Sequence, residues 1–191
     1  MENSQKKKPL LILDLDETLV HGIDTEDKNN NRPVPGVPID FRVGAIIGYR
    51  RPHLSEFLTR IWQHYDVAVW SSGGCDWVEG AVAKIMDGYP QPLFVWSAAR
   101  CTRRVEFEPY YREFKIKNLK KLWNRFDKNR MLIVDDSPEK CFRNYGSAVY
   151  IKEFKGEQDD QELLHLATYL ESLSDLPNFR TVEKRGWRNR F

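Results

Sequence analysis

An α/β fold built on a central parallel sheet follows from three observations. Five short apolar runs, at residues 10–13, 67–70, 93–96, 131–134 and 148–151, have the length of strands buried on both faces. Stretches with helical spacing separate most of them, the alternation that covers a parallel sheet with helices. The first and fourth runs end on paired acids, at the strand ends where open α/β sheets bind ligands.

Pro9 precedes the first run, which continues into Asp14-Leu15-Asp16-Glu17-Thr18. Residues 22–36, with Asp24, Glu26, Asp27 and Asn29-Asn30-Asn31, have the composition of an exposed loop. Residues 39–43 and 45–49, divided by Gly44, predict a small β-hairpin flap. Pro52 opens a helix in which Leu54, Phe57, Leu58, Ile61 and Trp62 recur at helical spacing. The strand at 67–70 ends on Ser71-Ser72-Gly73-Gly74, and 75–86 reads as the next helix. After the strand at 93–96 an irregular stretch passes through Arg104, Phe107 and Pro109, and 117–126 looks helical. The strand at 131–134 ends on Asp135-Asp136, and Ser137-Pro138 starts a helix, with Ser137 as its N-cap. Residues 148–151 form the fifth strand, and 162–173 an amphipathic closing helix. One domain over 9–175 is expected, flanked by a basic tail at 1–8 and a basic, aromatic tail at 176–191.

At 191 residues, 41% hydrophobic and 30% charged, the chain has the makeup of an ordinary soluble globular domain. A net charge of +2 does not imply nucleic acid, which is disfavoured as a partner. Lys6-Lys7-Lys8 and the closing Arg180, Lys184, Arg185, Arg188 and Arg190, beside Trp187 and Phe191, read first as solvated or loosely docked ends. Cys75, Cys101 and Cys141 are odd in number and widely spaced, which fits a reducing cytoplasm or nucleus better than a disulfide framework. No apolar run suits a signal peptide or a membrane span, and a monomer is expected.

The chemistry is carried by residues that the strand order brings to one sheet edge. The first strand supplies Asp14 and Asp16, the second Ser71 and Ser72, the fourth Asp135 and Asp136, and Lys117 comes from the segment before the fourth. Clustered carboxylates repel unless a cation or a shared proton relieves them, and Mg²⁺ is the simplest relief. Taken alone, an acid pair at a strand end is also a helix cap or solvated turn, and Thr18 also suits a turn cap. His21, His53, His64 and His165 show no ligand spacing. Arg100, Arg103 and Arg104 read equally as a steering patch for an anion and as a solvated charge run. The stretch from Met131 to Ser137 also looks like the first strand of a receiver domain, but too few elements follow it to complete one.

The stretch Asp14-Leu15-Asp16-Glu17-Thr18-Leu19-Val20-His21, then Arg51-Pro52-His53, Lys117-Asn118-Leu119 and Val134-Asp135-Asp136-Ser137-Pro138, resembles in content and order the haloacid-dehalogenase superfamily. The likeness narrows to its branch of small RNA-polymerase C-terminal-domain phosphatases and nuclear-LIM-interactor-like proteins, over about residues 9–173. It implies a Rossmann-like three-layer sandwich with no large cap domain, Mg²⁺ as cofactor, and phosphomonoester hydrolysis through an aspartyl phosphate. In that scheme Asp14 is the nucleophile and Asp16 the acid and base. Asp14, Asp136 and the Asp16 carbonyl hold the metal, with Asp135 beside them. Thr18, Ser71, Ser72 and Lys117 meet phosphate or support the nucleophile. Lys115 competes with Lys117, which is preferred because Asn118-Leu119 follows it. Relatives usually carry Thr-Ala-Ser where this chain has Ser71-Ser72-Gly73, and several carry Asn at the position of Asp136. The implied substrate is a phosphoserine or phosphothreonine protein. Alternatives are a nucleotide, sugar phosphate or polynucleotide end, and a non-catalytic scaffold on the same fold.

Overall fold

The computed structural model describes residues 7–28, 32–107 and 111–190. Its elements run β1 (Leu10–Leu13), β2 (Val20–Asp24), β3 (Phe41–Val43), β4 (Ile46–Arg50), α1 (Leu54–His64), β5 (Asp66–Trp70), α2 (Cys75–Ile85), β6 (Val95–Trp96), β7 (Thr102–Glu106), β8 (Arg112–Ile116), β9 (Met131–Asp135), α3 (Pro138–Cys141), β10 (Ala148–Tyr150) and α4 (Glu162–Leu173). The central sheet has five strands in the order β10-β9-β1-β5-β6, and every pairing in it is parallel. β1 lies in the middle, so both its faces are buried. Leu11 and Leu13 join the cluster of α1, α2 and α4, while Leu10 and Ile12 join Leu119, Leu122 and Cys141 on the other face. The α/β class, the parallel sheet and the absence of a large cap are as the sequence implies.

Several elements differ from the sequence reading. The flap is a three-stranded antiparallel sheet, β2-β4-β3, because β2 pairs along β4 from Val20↔Arg50 to Asp24↔Ile46. Residues 22–24 are therefore strand rather than loop, and Asn29-Asn30-Asn31 lie outside the described residues. Gly44 makes the β3–β4 turn with φ +55, a conformation that disfavours side chains. The stretch expected to be irregular holds an antiparallel ribbon of β7 and β8, in register from Thr102↔Ile116 to Glu106↔Arg112. Its charged residues hide the apolar alternation, and the Arg103–Glu113 pair at 2.5 Å joins the strands. Pro109 lies outside the described residues.

The segment after β8 is not a regular helix but a short 3₁₀ turn at Leu119–Leu122. Its start is tied down: the Lys117 N–H donates to Lys140 O at 2.8 Å, and Asn144 donates to Lys117 O at 2.6 Å. β6 is shorter than expected, although Leu93 N–H already bonds Val67 O at 2.8 Å. Leu93 is exposed at this sheet edge. α1 begins at Leu54 rather than Pro52, with His53 at the N-cap in the left-handed region.

The chain beyond α4 is docked rather than loose. Trp187 is buried, stacks on Tyr169 at 5.2 Å and donates its indole N–H to Tyr150 O at 2.8 Å. The Lys184 ammonium donates to the carbonyls of Gly146, Phe179 and Val182. Arg188 pairs with Glu162 across the tryptophan. Lys6 and Phe191 lie outside the described residues.

Candidate active site

The carboxyl ends of β1 and β9 are adjacent, since Leu13 pairs with Val134 and the Asp14 N–H donates to Val134 O at 3.0 Å. Asp14 and Asp135 thereby face one another at the sheet edge, both fully buried. The Lys117 ammonium sits between them, donating to Asp14 Oδ1 at 2.5 Å and to Asp135 Oδ2 at 2.7 Å. Burial works against the Lys117 charge, but the two carboxylates outweigh it and hold its pKa above the ordinary lysine value. Lys115 lies exposed on the ribbon, so it is Lys117 that reaches the acids. The Thr18 hydroxyl donates to Asp14 Oδ2 at 3.3 Å.

Asp135 is spoken for by the protein. Its Oδ1 accepts the Ser137 N–H at 2.9 Å, and its Oδ2 also lies 3.4 Å from the Cys141 thiol. Asp136 is different. One of its oxygens accepts the Ser137 hydroxyl at 3.1 Å, while Oδ1 is buried with no hydrogen-bond partner among the described residues. Lys140 stands 4.0 Å from that oxygen. Ser137 does start α3, but its hydroxyl caps no helix N–H and goes to Asp136 instead.

Asp14, Asp135 and Asp136 each offer an oxygen within 4.8 Å of the others. Two unit charges at that distance repel by about 3–4 kcal/mol at an effective dielectric of about 20. With Asp16 nearby the edge carries more negative charge than Lys117 can cancel. Burial first, and Asp14 second, push Asp16, Asp135 and Asp136 up from the usual carboxylate range, Asp136 to about 7. A partnerless buried carboxylate oxygen in an over-acidic cluster is what a hard divalent cation would satisfy, so the donor set fits one.

Asp16 lies to the side of the cluster. Its Oδ2 accepts the Ser71 hydroxyl at 2.7 Å, and its Oδ1 accepts the Trp77 indole N–H at 2.5 Å. Ser71, fully buried at the end of β5, is thus engaged with Asp16. Ser72 is half-buried on the rim of a cavity of ≈390 Å³ bounded by Arg112, Glu113, Phe114, Lys115, Glu139 and Lys140. Arg103 is ion-paired to Glu113, and Arg100 lies over the Trp96 ring, 5.2 Å from its centroid.

The chain matches the model of NLI interacting factor-like phosphatases over residues 9–180. It belongs to that family. Among relatives of this NLI interacting factor-like chain, Phosphatase Herzog of Drosophila melanogaster is 31% identical over 172 residues, 90% of this chain and 46% of its own length. CTD small phosphatase-like protein of Homo sapiens is 30% identical over 167 residues, 87% of this chain and 56% of its own. The chain therefore spans about half the length of the curated relatives it matches. The fold is shared with a structure described as Fcp1, an essential RNA polymerase II CTD phosphatase. Its TM-score is 0.55 at 16% identity, covering 87% of this chain and 50% of that one.

Two residues with a hold on the site were given no role by the sequence. Trp77 bonds Asp16, yet a tryptophan in a helix reads as ordinary core. Arg51 is buried and donates to Thr18 O at 3.1 Å while gripping Asp160 with two bonds at 2.9 and 2.8 Å. Arg51 was visible in the Arg51-Pro52-His53 signature, but nothing local pointed to Asp160 as its partner.

Proposed function

We propose that this chain is a Mg²⁺-dependent phosphomonoester hydrolase that works through an aspartyl phosphate and acts on phosphoserine or phosphothreonine in proteins. The buried Asp14–Lys117–Asp135 bridge with the partnerless Asp136 oxygen beside it carries the reading. Asp14 and Asp136, with the Asp16 carbonyl, would hold the metal, and Asp135 would orient Lys117 and the surrounding shell. Bound there, Mg²⁺ supplies charge neutralisation for the carboxylates and the incoming phosphoryl oxygens.

The remaining chemistry falls to side chains. An Asp14 oxygen forms a bond to phosphorus as the bond to the leaving oxygen breaks. Asp16, kept protonated to higher pH than a free carboxyl by burial and by Asp14, gives its proton to that oxygen. The ionised Asp16 then takes a proton from the water that attacks phosphorus, releasing inorganic phosphate and restoring Asp14. Lys117 and Thr18 fix the two Asp14 oxygens, and Ser71, Ser72 and the turn after β5 receive phosphate oxygens.

A protein substrate is favoured over a nucleotide or sugar phosphate by two features. No large cap closes the site, and an open groove lined by Ser72, Arg112, Lys115 and Lys140, with Glu113 and Glu139, lies beside it. The relatives' names add the CTD phosphatases. Free cysteines among the described residues suit a reducing compartment, cytoplasmic or nuclear. Among those residues no helix is long and apolar enough to cross a membrane.

The test is hydrolysis of p-nitrophenyl phosphate and of phosphopeptides with Mg²⁺, with EDTA, and in Asp14→Asn. Magnesium-dependent turnover reduced about 10³-fold or more in the variant is expected. No turnover of any phosphoester would instead support the scaffold reading.

A further inference from the structure

Asp16 is gripped from two sides by donors of different kinds. The Ser71 hydroxyl reaches Oδ2 at 2.7 Å, and because Ser71 Oγ itself accepts the Gly73 N–H at 2.8 Å, its proton is directed at Asp16. The Trp77 indole reaches Oδ1 at 2.5 Å. The indole N–H can only donate, whereas the Ser71 hydroxyl can turn and accept, so when the carboxyl is protonated the proton belongs on Oδ2.

The indole is held in place by the flap. Trp77 is buried in α2, and its ring stacks on Phe41 of β3 at 5.9 Å with an interplanar angle of 12°. Gly22 of β2 leaves room for it, since a Cβ there would come within 2.7 Å of the indole ring. Gly48 of β4 does the same for Phe41, where a Cβ would come within 2.3 Å of that ring. A flap that appears in sequence as a surface hairpin is therefore packed, through two aromatic rings, onto the group that orients Asp16.

We propose that Trp77 is a positioning residue that fixes Asp16 Oδ1, so that Oδ2 carries the proton to the leaving oxygen once the substrate's phosphoryl group takes over the Ser71 hydroxyl. The assignment rests on the reading of Asp16 as proton donor. The flap, by seating the indole, sets the aim of the acid. The proton moves from Oδ2 to the leaving oxygen as that oxygen's bond to phosphorus breaks, and the Trp77 N–H stays on Oδ1 throughout.

A serine alkoxide leaves poorly without a proton, whereas p-nitrophenolate leaves without help, so a misaimed acid penalises the first substrate selectively. Trp77→Phe keeps an aromatic ring in α2 and removes the donor together with part of the indole's volume. The measure is kcat/KM, which reports the step in which the leaving group departs. In Trp77→Phe it is expected to fall at least about tenfold more for a phosphoserine peptide than for p-nitrophenyl phosphate. Gly22→Ala crowds the indole from the flap side without altering its N–H, and a smaller loss of the same selectivity is expected. Should Trp77→Phe fail to fold, as read by its melting temperature, Gly22→Ala carries the test. Equal losses on both substrates, or no loss on either, overturn the role of Trp77 and leave the phosphatase reading standing. A wild-type chain that hydrolyses neither substrate overturns both.

Discussion

Lys117 and Asp136 are the two residues whose charge state the cluster depends on most, and they pull in opposite directions. Lys117 joins Asp14 and Asp135 in full burial, so Lys117→Met leaves two buried carboxylates without their cation. Its raised pKa keeps this contribution intact at neutral pH, and it is lost only as pH rises beyond the ordinary lysine range. Urea unfolding of the metal-free protein at pH 7.5 should show a loss of about 3–5 kcal/mol, shrinking at acid pH as Asp135 takes up a proton. Asp136 does the reverse. With its pKa raised from 3.8 to about 7, the folded chain keeps a proton that the unfolded chain gives up, so stability falls as pH rises through that window. In EDTA at pH 8, Asp136→Asn should therefore melt higher than wild type, with the gap closing near pH 4. In Mg²⁺ the order should reverse, because an amide is the weaker ligand. A wild-type protein that melts higher than the variant in EDTA at pH 8 would show that the repulsion is absent. Asp136 was legible in the sequence as strand-end chemistry, and Lys117 through the Lys117-Asn118-Leu119 motif; the partnerless Asp136 oxygen was not, because it depends on which neighbours Ser137 and Lys140 happen to satisfy.

Elements are joined at the site by Arg51, at the end of β4, and Asp160, just before α4. The guanidinium binds Asp160 through two bonds, reaches the carbonyl of Thr18 and lies over the Phe154 ring, while Phe154 N–H donates to Glu17 O at 2.8 Å. The loop that carries Asp16 and Thr18 is thereby braced against the start of the closing helix, where Asp160 also accepts the Glu162 N–H at 3.0 Å. Burial alone would raise the Asp160 pKa, but Arg51 holds it below the usual carboxylate range. The pair therefore contributes above about pH 4 and fades as pH falls through the lowered value. Arg51→Met should cost about 3–5 kcal/mol at pH 7 by urea unfolding, and the loss should not add to that of Asp160→Asn. Fully additive losses would mean that the two side chains act separately. At this scale the buried strands and α4 were readable because an apolar run or a 3.6-residue period needs only neighbouring residues. The ribbon of β7 and β8 was not, since its alternation is overwritten by charges and its pairing is visible only once the strands lie side by side.

For the whole molecule, the strand order β10-β9-β1-β5-β6 is what turns scattered acids into one centre, and a cation bound there acts on the stability of the entire domain. Mg²⁺ at about 100 times its Kd should stabilise the fold by about 2.7 kcal/mol, a rise of about 5–10 °C in melting temperature for a domain of this size. Asp14→Asn should cut that rise, and no shift with Mg²⁺, Mn²⁺ or Ca²⁺ would rule the centre out as a cation site. The sequence by itself determined the α/β class, the strands that end on acids, and the family, because these are written in local periodicity and in ordered short motifs. Only the tertiary structure decided who holds whom: Lys117 to Asp14 across 103 positions, Arg51 to Asp160 across 109, and Trp77 to Asp16 across 61. Such bonds have no period along the chain. They exist because packing two distant segments against one sheet edge leaves each buried polar atom to find whichever partner the fold has brought within 3 Å.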